Sequence, residues 1–192
     1  MIDPSNITNY NLTNSELEET ILFWVCAAGK NGTTSARCLD NLLGDLKVFF
    51  PPKFPPLKLI RTAAVHLDLA DWLKTSGIGC YTYKARTMSE LAHANLDLRT
   101  CTTEDLEKIY GIGMKTSRCF IIHSRIDAPY AGLDTHMLKN LKVHGVQDVP
   151  KVTPSSKRQY KRLELEALRL SKEAGMTPAN YDLSVWNKYA VK

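Results

Sequence analysis

A lysine and an aspartate, Lys115 and Asp134, stand 19 residues apart in the stretch LEKIYGIGMKTSRCFIIHSRIDAPYAGLDTHMLKNL. The chain between them suffices for one helix of about three turns and a polar turn, RIDAP. One helix up and one turn back can return the carboxylate to the level of the amine, so that both face one cleft. A neutral amine attacks an electrophilic carbon, and a carboxylate beside it moves a proton or steadies developing positive charge. Each residue also has a plainer role open to it. A lysine here can be a surface cation near phosphate, and Asp is a favoured helix N-cap, worth about 1 kcal/mol, at the head of DTHMLKN.

Just before the lysine, Gly111 and Gly113 frame Ile112. Gly111 ends a short helix capped by Thr103, with Leu106, Ile109 and Tyr110 facing inward, because a left-handed backbone is cheapest at glycine. Gly113 allows a second bend before the next helix. A hairpin of this kind exposes unpaired N–H groups at a helix N-terminus, which suits a phosphate and carries no base preference. The same spacing also serves as nothing more than a turn.

The elements that must position these residues are helical. Asn14 and Ser15 cap a first helix, with Glu18 completing a capping box, and Leu17, Ile21, Trp24 and Ala28 recur at helical spacing up to Gly29. A second helix runs from about Thr33 to Leu46, with Ala36, Leu39, Leu43 and Leu46 on one face. The segment FFPPKFPP then imposes an extended connector. Further helices are expected over 57–74, 80–94, 103–110, 114–126, 134–144, 156–174 and 179–190. No strand alternation of useful length occurs, so the fold class is all-α.

Composition narrows the function classes. The chain has 192 residues, 44% of them hydrophobic and 23% charged, enough for one sizeable core or two small ones packed together. Its N-terminus lacks a basic segment followed by an apolar run, and no stretch is apolar enough to span a membrane, so an intracellular protein with no membrane partner is expected. Five cysteines, widely spaced and without a C-x-x-C pair, give no support to a disulfide framework, a zinc ribbon or an iron–sulfur cluster. Three Asn-x-Thr triplets, at Asn6, Asn11 and Asn31, are read as chance or capping chemistry. The net charge of +5 arises in the last quarter, where residues 139–192 carry eleven Lys and Arg against five Asp and Glu. Such a balance suits a nucleic-acid backbone, and equally a solvated helix face.

The stretch from Leu106 to Leu141 resembles the signature of the helix-hairpin-helix DNA glycosylase superfamily, which includes endonuclease III and 8-oxoguanine DNA glycosylase: hairpin glycines, lysine, following helix and the LDTH aspartate stand in the same order and spacing. FWVCAAGKNGTTSARCLDNLL, YTYKARTMSELA and YDLSVWNKY extend a weaker likeness from about Glu16 to Tyr189. The resemblance implies two packed helical subdomains with a DNA-binding cleft between them, one of residues 33–129 and one of 1–32 with 130–192. By it, Lys115 falls on the nucleophile and Asp134 on the essential carboxylate. Gly111, Ile112 and Gly113 fall on the DNA-gripping hairpin, and His136 on a histidine near the DNA backbone. Gly29, Lys30 and Asn31 fall on the loop that enters the duplex where the base leaves, Gly29 at the edge of the base pocket, and Cys119 falls on a cysteine of that pocket. Of the aromatic candidates for stacking there, Trp24, Phe120, Tyr181 and Trp186, the last two lie on the expected closing helix.

The function implied is a monomeric base-excision enzyme acting on double-stranded DNA with a damaged base, preferably an oxidised purine such as 8-oxoguanine. It would join glycosylase and abasic-site lyase activities through a lysine Schiff base, without metal or cofactor. Two departures stand out. The four-cysteine cluster of endonuclease III is absent, and the loop AAGKNG lacks the usual wedge side chain at Gly29. A noncatalytic helix-hairpin-helix DNA-binding module, and a glycosylase-fold enzyme performing another base modification, are the alternatives.

Overall fold

Helix α1, Asn14–Ala27, presents apolar side chains on nearly every side, and Leu17 and the run Ile21–Ala27 are all buried. A helix apolar all round belongs at the centre of a domain. In this computed structural model, which describes residues 1–190, α1 is packed by α2 (Gly32–Phe49), α3 (Pro56–His66) and α5 (Tyr81–His93). Two shorter helices, α4 (Leu69–Thr75) and α6 (Thr103–Glu107), complete the first unit, which comprises residues 1–4 and 11–113. Residues 5–10 and, of those described, 114–190 form the second. It contains α7 (Met114–Ser124), α8 (Thr135–Val143), α9 (Lys157–Glu173) and α10 (Pro178–Ala190). Every regular element among the described residues is helical, as the periodicity predicts.

Several boundaries differ from the sequence reading, each for a local reason. The cap of α1 is Thr13, whose hydroxyl accepts from Glu16 N–H at 3.3 Å while Glu16 accepts from Thr13 N–H at 2.7 Å. Two overlapping S/T-x-x-E patterns were available, and Glu18 is drawn elsewhere: its Oε2 accepts from Leu57 N–H, 2.9 Å, at the head of α3. The helix expected over 57–74 is two helices. Leu67 leaves helical geometry, and Asp68 caps α4 through Ala70 N–H and Asp71 N–H. Pro56 closes the proline-rich connector from inside α3, where a first-turn proline forfeits no hydrogen bond. Thr102, not Thr103, caps α6, with Asp105 completing the box. The expected inward Tyr110 is instead 36% exposed.

The second unit has its own core. Leu133, Met137, Leu138, Leu141, Tyr160 and Leu163 are each 1% exposed or less and pack with Tyr181 and Val185 of α10. The N-terminal segment is tied into this unit by Asn9 N–H, which donates to His123 O at 3.0 Å.

Candidate active site

Lys115 lies in the first turn of α7, and Cys119 follows four residues later on the same face. Asp134 is the N-cap of α8, with Oδ1 accepting from Met137 N–H at 2.7 Å. The capping role and a place in the site therefore coexist, since one oxygen of the carboxylate makes the cap.

Buried polar groups fix the segment leading into Asp134. The Tyr160 hydroxyl donates to Ala131 O at 3.0 Å and accepts from Leu133 N–H at 3.1 Å. Glu164 Oε1 accepts from Ala131 N–H at 3.2 Å and from Arg118 Nε at 2.8 Å, and the Arg118 guanidinium stacks 4.8 Å from the Tyr160 ring centre. Thr153 Oγ1 donates to Leu133 O at 2.7 Å. An arginine one turn into α7 and a tyrosine and glutamate of α9 thus hold the loop that delivers the carboxylate.

A second carboxylate, Asp182 of α10, belongs to the same cluster. A Cβ on Gly132 would lie 2.3 Å from Cys119 Sγ and 3.5 Å from Asp182 Oδ1, so only glycine fits between thiol and carboxylate. Asp182 Oδ2 lies 3.2 Å from His123 Nε2, and His123 Nδ1 is 2.7 Å from Thr8 Oγ1. Electrostatics bind the group together. Burial raises the proton affinity of the Asp134 carboxyl, Asp182 raises it further, and Met137 N–H, Lys115 and His136 oppose them. Burial also pushes the Cys119 thiol well above its usual range, with Lys115 opposing and the two aspartates adding to the rise. Cys119 is thus a protonated, inert thiol and not a nucleophile.

The structure therefore places Lys115, Cys119 and Asp134 within electrostatic reach of one another, and sets Asp182, Gly132 and His123 beside them. Asp182 was detectable in the sequence four residues before Trp186, at the spacing that shares a helix face. Trp186 itself is half-buried on α10. Tyr181 is 7% exposed in the core, and its hydroxyl accepts from Asn140 Nδ2 at 2.8 Å. His136 stands in the first turn of α8 with its ring parallel to Tyr189, centres 6.4 Å apart.

The remaining predicted residues belong to the first unit. Gly111 has φ +83°, and a Cβ there would meet Thr87 Oγ1 at 2.1 Å, so the hairpin lies directly on α5. Ile112 is 3% exposed and anchors the turn from inside. Gly113 faces open space. Glu90 Oε2 accepts from Tyr110 N–H at 3.0 Å while Arg86 stacks 3.8 Å from the Tyr110 ring centre. Gly29 has φ +67°, Lys30 lies across Gly79, and Asn31 caps α2 through Thr34 N–H at 3.0 Å. The Asn31 triplet is thus capping chemistry. Beside it lies a cavity of about 230 Å³ lined by Lys30, Asn31, Thr34, Ser35 and Cys38 among others. None of the five cysteines forms a disulfide among the described residues, and four of them are buried.

No protein-family model and no curated protein matches the sequence. Two solved structures do match the fold. One is the 8-oxoguanine DNA glycosylase of Thermotoga maritima, 23% identical with a TM-score of 0.69 over 94% of this chain and 82% of that one. The other is the Methanocaldococcus jannaschii 8-oxoguanine glycosylase/lyase in complex with a 15mer DNA containing 8-oxoguanine, 20% identical with a TM-score of 0.69 over 95% and 84%. Over nearly its whole length, the chain has the helical fold of these two 8-oxoguanine glycosylases.

Proposed function

We propose that this chain is a DNA glycosylase with abasic-site lyase activity, acting on duplexes that carry an oxidised purine of the 8-oxoguanine type. The observation that carries the reading is the convergence of Lys115, Asp134, Asp182 and Cys119 on one unit, in a chain with the fold of two such enzymes. The open face of Gly113, which no contact among the described residues requires to be glycine, supports close approach of a phosphate to the hairpin backbone.

The target base leaves the stack at a cost of a few kcal/mol, repaid by backbone contacts and by stacking, for which Trp186 is the candidate. The Lys115 amine attacks the sugar C1′, the C1′–N bond breaks, and its electron pair departs with the base, which takes up a proton. Asp134, a carboxyl with raised proton affinity, steadies the positive charge developing on the sugar and assists proton transfer. The C1′–O4′ bond then breaks, O4′ takes the amine's proton, and a Schiff base is left on Lys115. Loss of a C2′ proton forms the C2′=C3′ bond as C3′–O breaks, the 3′ phosphate leaves, and the strand is cut on the 3′ side of the lesion.

Borohydride trapping tests this. Duplexes with 8-oxoguanine, an oxidised pyrimidine, uracil or an abasic site are incubated with protein and reduced. The expected result is a covalent adduct, fastest with 8-oxoguanine among the three base lesions and absent in Lys115→Gln. No adduct on any duplex, despite measurable binding, would leave the noncatalytic module.

A further inference from the structure

Two helices of the second unit bring positive groups around one aromatic ring. Lys139 Nζ of α8 lies 4.5 Å from the centre of the Tyr189 ring, and Lys188 Nζ of α10 lies 5.1 Å from it. The His136 imidazole, one turn before Lys139, is parallel to the same ring within 2°. A cation over a ring is favourable by about 0.5–1 kcal/mol at an exposed site, but two ammonium groups held around one ring repel each other. Elsewhere in this unit Arg118 and Arg169 are matched by carboxylates, Glu164 for the first and Glu166 with Glu173 for the second. Neither Lys139 nor Lys188 forms such a pair among the described residues. The polar groups around the ring, two ammoniums and a phenol, are donors, and nothing in the group is an obligate acceptor. Its complement is an acceptor-only anion. His136 lies close enough to the Asp134 carboxyl to lower its proton affinity, which sets that anion beside the proposed reacting centre.

We propose that Tyr189, Lys139 and Lys188, together with His136, form the seat of a single DNA backbone phosphate next to the extruded nucleotide. The resemblance places only His136 on the backbone; the ring and both lysines are additional. The seat rests on the glycosylase reading. Its role is to hold the strand while the nucleotide is out of the stack, the tyrosine ring fixing where the ammonium groups converge.

The test uses a duplex with a tetrahydrofuran abasic analogue, which cannot be eliminated. Affinity is measured by fluorescence anisotropy across a KCl series for wild type, for Lys139→Gln/Lys188→Gln, and for Tyr189→Leu, with thermal melts confirming folding. Each of a set of duplexes carries one neutral methylphosphonate near the analogue. The double variant is expected to bind roughly tenfold or more weakly, with the log–log salt slope reduced by about 1. One particular methylphosphonate should weaken wild type and leave the double variant unaffected, the signature of a coupled pair. Tyr189→Leu, which keeps both charges, should lose part of the same coupling. Losses that add at every phosphate position, or an unchanged salt slope, would overturn the seat. If wild type also traps covalently on a true abasic duplex, the glycosylase reading stands without the seat. If wild type binds no duplex at all, both fall together.

Discussion

The Tyr160 hydroxyl accepts the Leu133 N–H at 3.1 Å and lies 3.5 Å from the Met114 carbonyl, so one buried phenol touches the residue before Asp134 and the residue before Lys115. Burial raises its proton affinity well above the usual tyrosine range, so it remains a neutral donor at any working pH. In Tyr160→Phe the ring still fills the core, while Leu133 N–H and Ala131 O lose their partner, a loss of roughly 1–3 kcal/mol. The expected outcome is a lower melting temperature together with a drop in single-turnover excision larger than the drop in DNA affinity. Equal losses in rate and affinity would instead mean that the hydroxyl serves stability alone.

Asp134 ties stability to pH in a definite direction. Its folded proton affinity is raised above the ordinary value of 3.8, chiefly by burial and then by Asp182. Such a group contributes stability that is fully present below the unfolded pKa and is lost as pH rises through the folded one. Asn caps a helix about as well as Asp, so Asp134→Asn removes the charge and keeps the cap. At neutral pH the variant should melt higher than wild type, with the gap closing as pH falls toward 3.8, and excision should fall roughly 10²–10⁴-fold. Melting curves across pH check the first part and single-turnover rates the second.

Gly132 separates Cys119 from Asp182, and an added Cβ would stand 2.3 Å from the thiol sulfur. Gly132→Ala is therefore expected to destabilise the second unit by roughly 1–3 kcal/mol, the usual cost of overpacking, and to shift the loop that leads into Asp134. Replacing the sulfur restores room. Gly132→Ala/Cys119→Ala should recover more stability than the two single losses together would allow, measured as a double-mutant cycle in melting temperature. Additive losses would place the strain elsewhere.

What could be read in the sequence was local. Asp134 as a cap, Gly111 as a left-handed turn and the buried face of α2 follow from neighbours within four residues. The break between α3 and α4 was not read, because an unbroken apolar period across Leu67 concealed the cap that Asp68 offers before Leu69. The support of the site was not legible. Tyr160 reaches Leu133 across 27 positions, Asp182 reaches His123 across 59 and Thr8 reaches it across 115. No periodicity encodes such pairings, because each depends on how separate helices stack. Glu18 illustrates the same point, a residue with the spacing of a capping box that bonds instead to Leu57, 39 positions away.

The two hairpin glycines should separate folding from binding. Gly111 carries φ +83° and would clash with Thr87, so Gly111→Ala meets both backbone strain and overpacking and should lower the melting temperature. Gly113 faces open space and is not among the left-handed glycines, so nothing among the described residues resists a methyl there. Gly113→Ala is expected to melt within about 0.5 kcal/mol of wild type, as for an unstrained surface change. Its duplex affinity should nonetheless fall several-fold or more, because the methyl would stand where a phosphate must approach the backbone N–H groups. Anisotropy titrations beside melting curves decide the matter. A Gly113→Ala variant that binds as tightly as wild type would remove the hairpin from the DNA interface and leave Gly111 as a purely structural glycine.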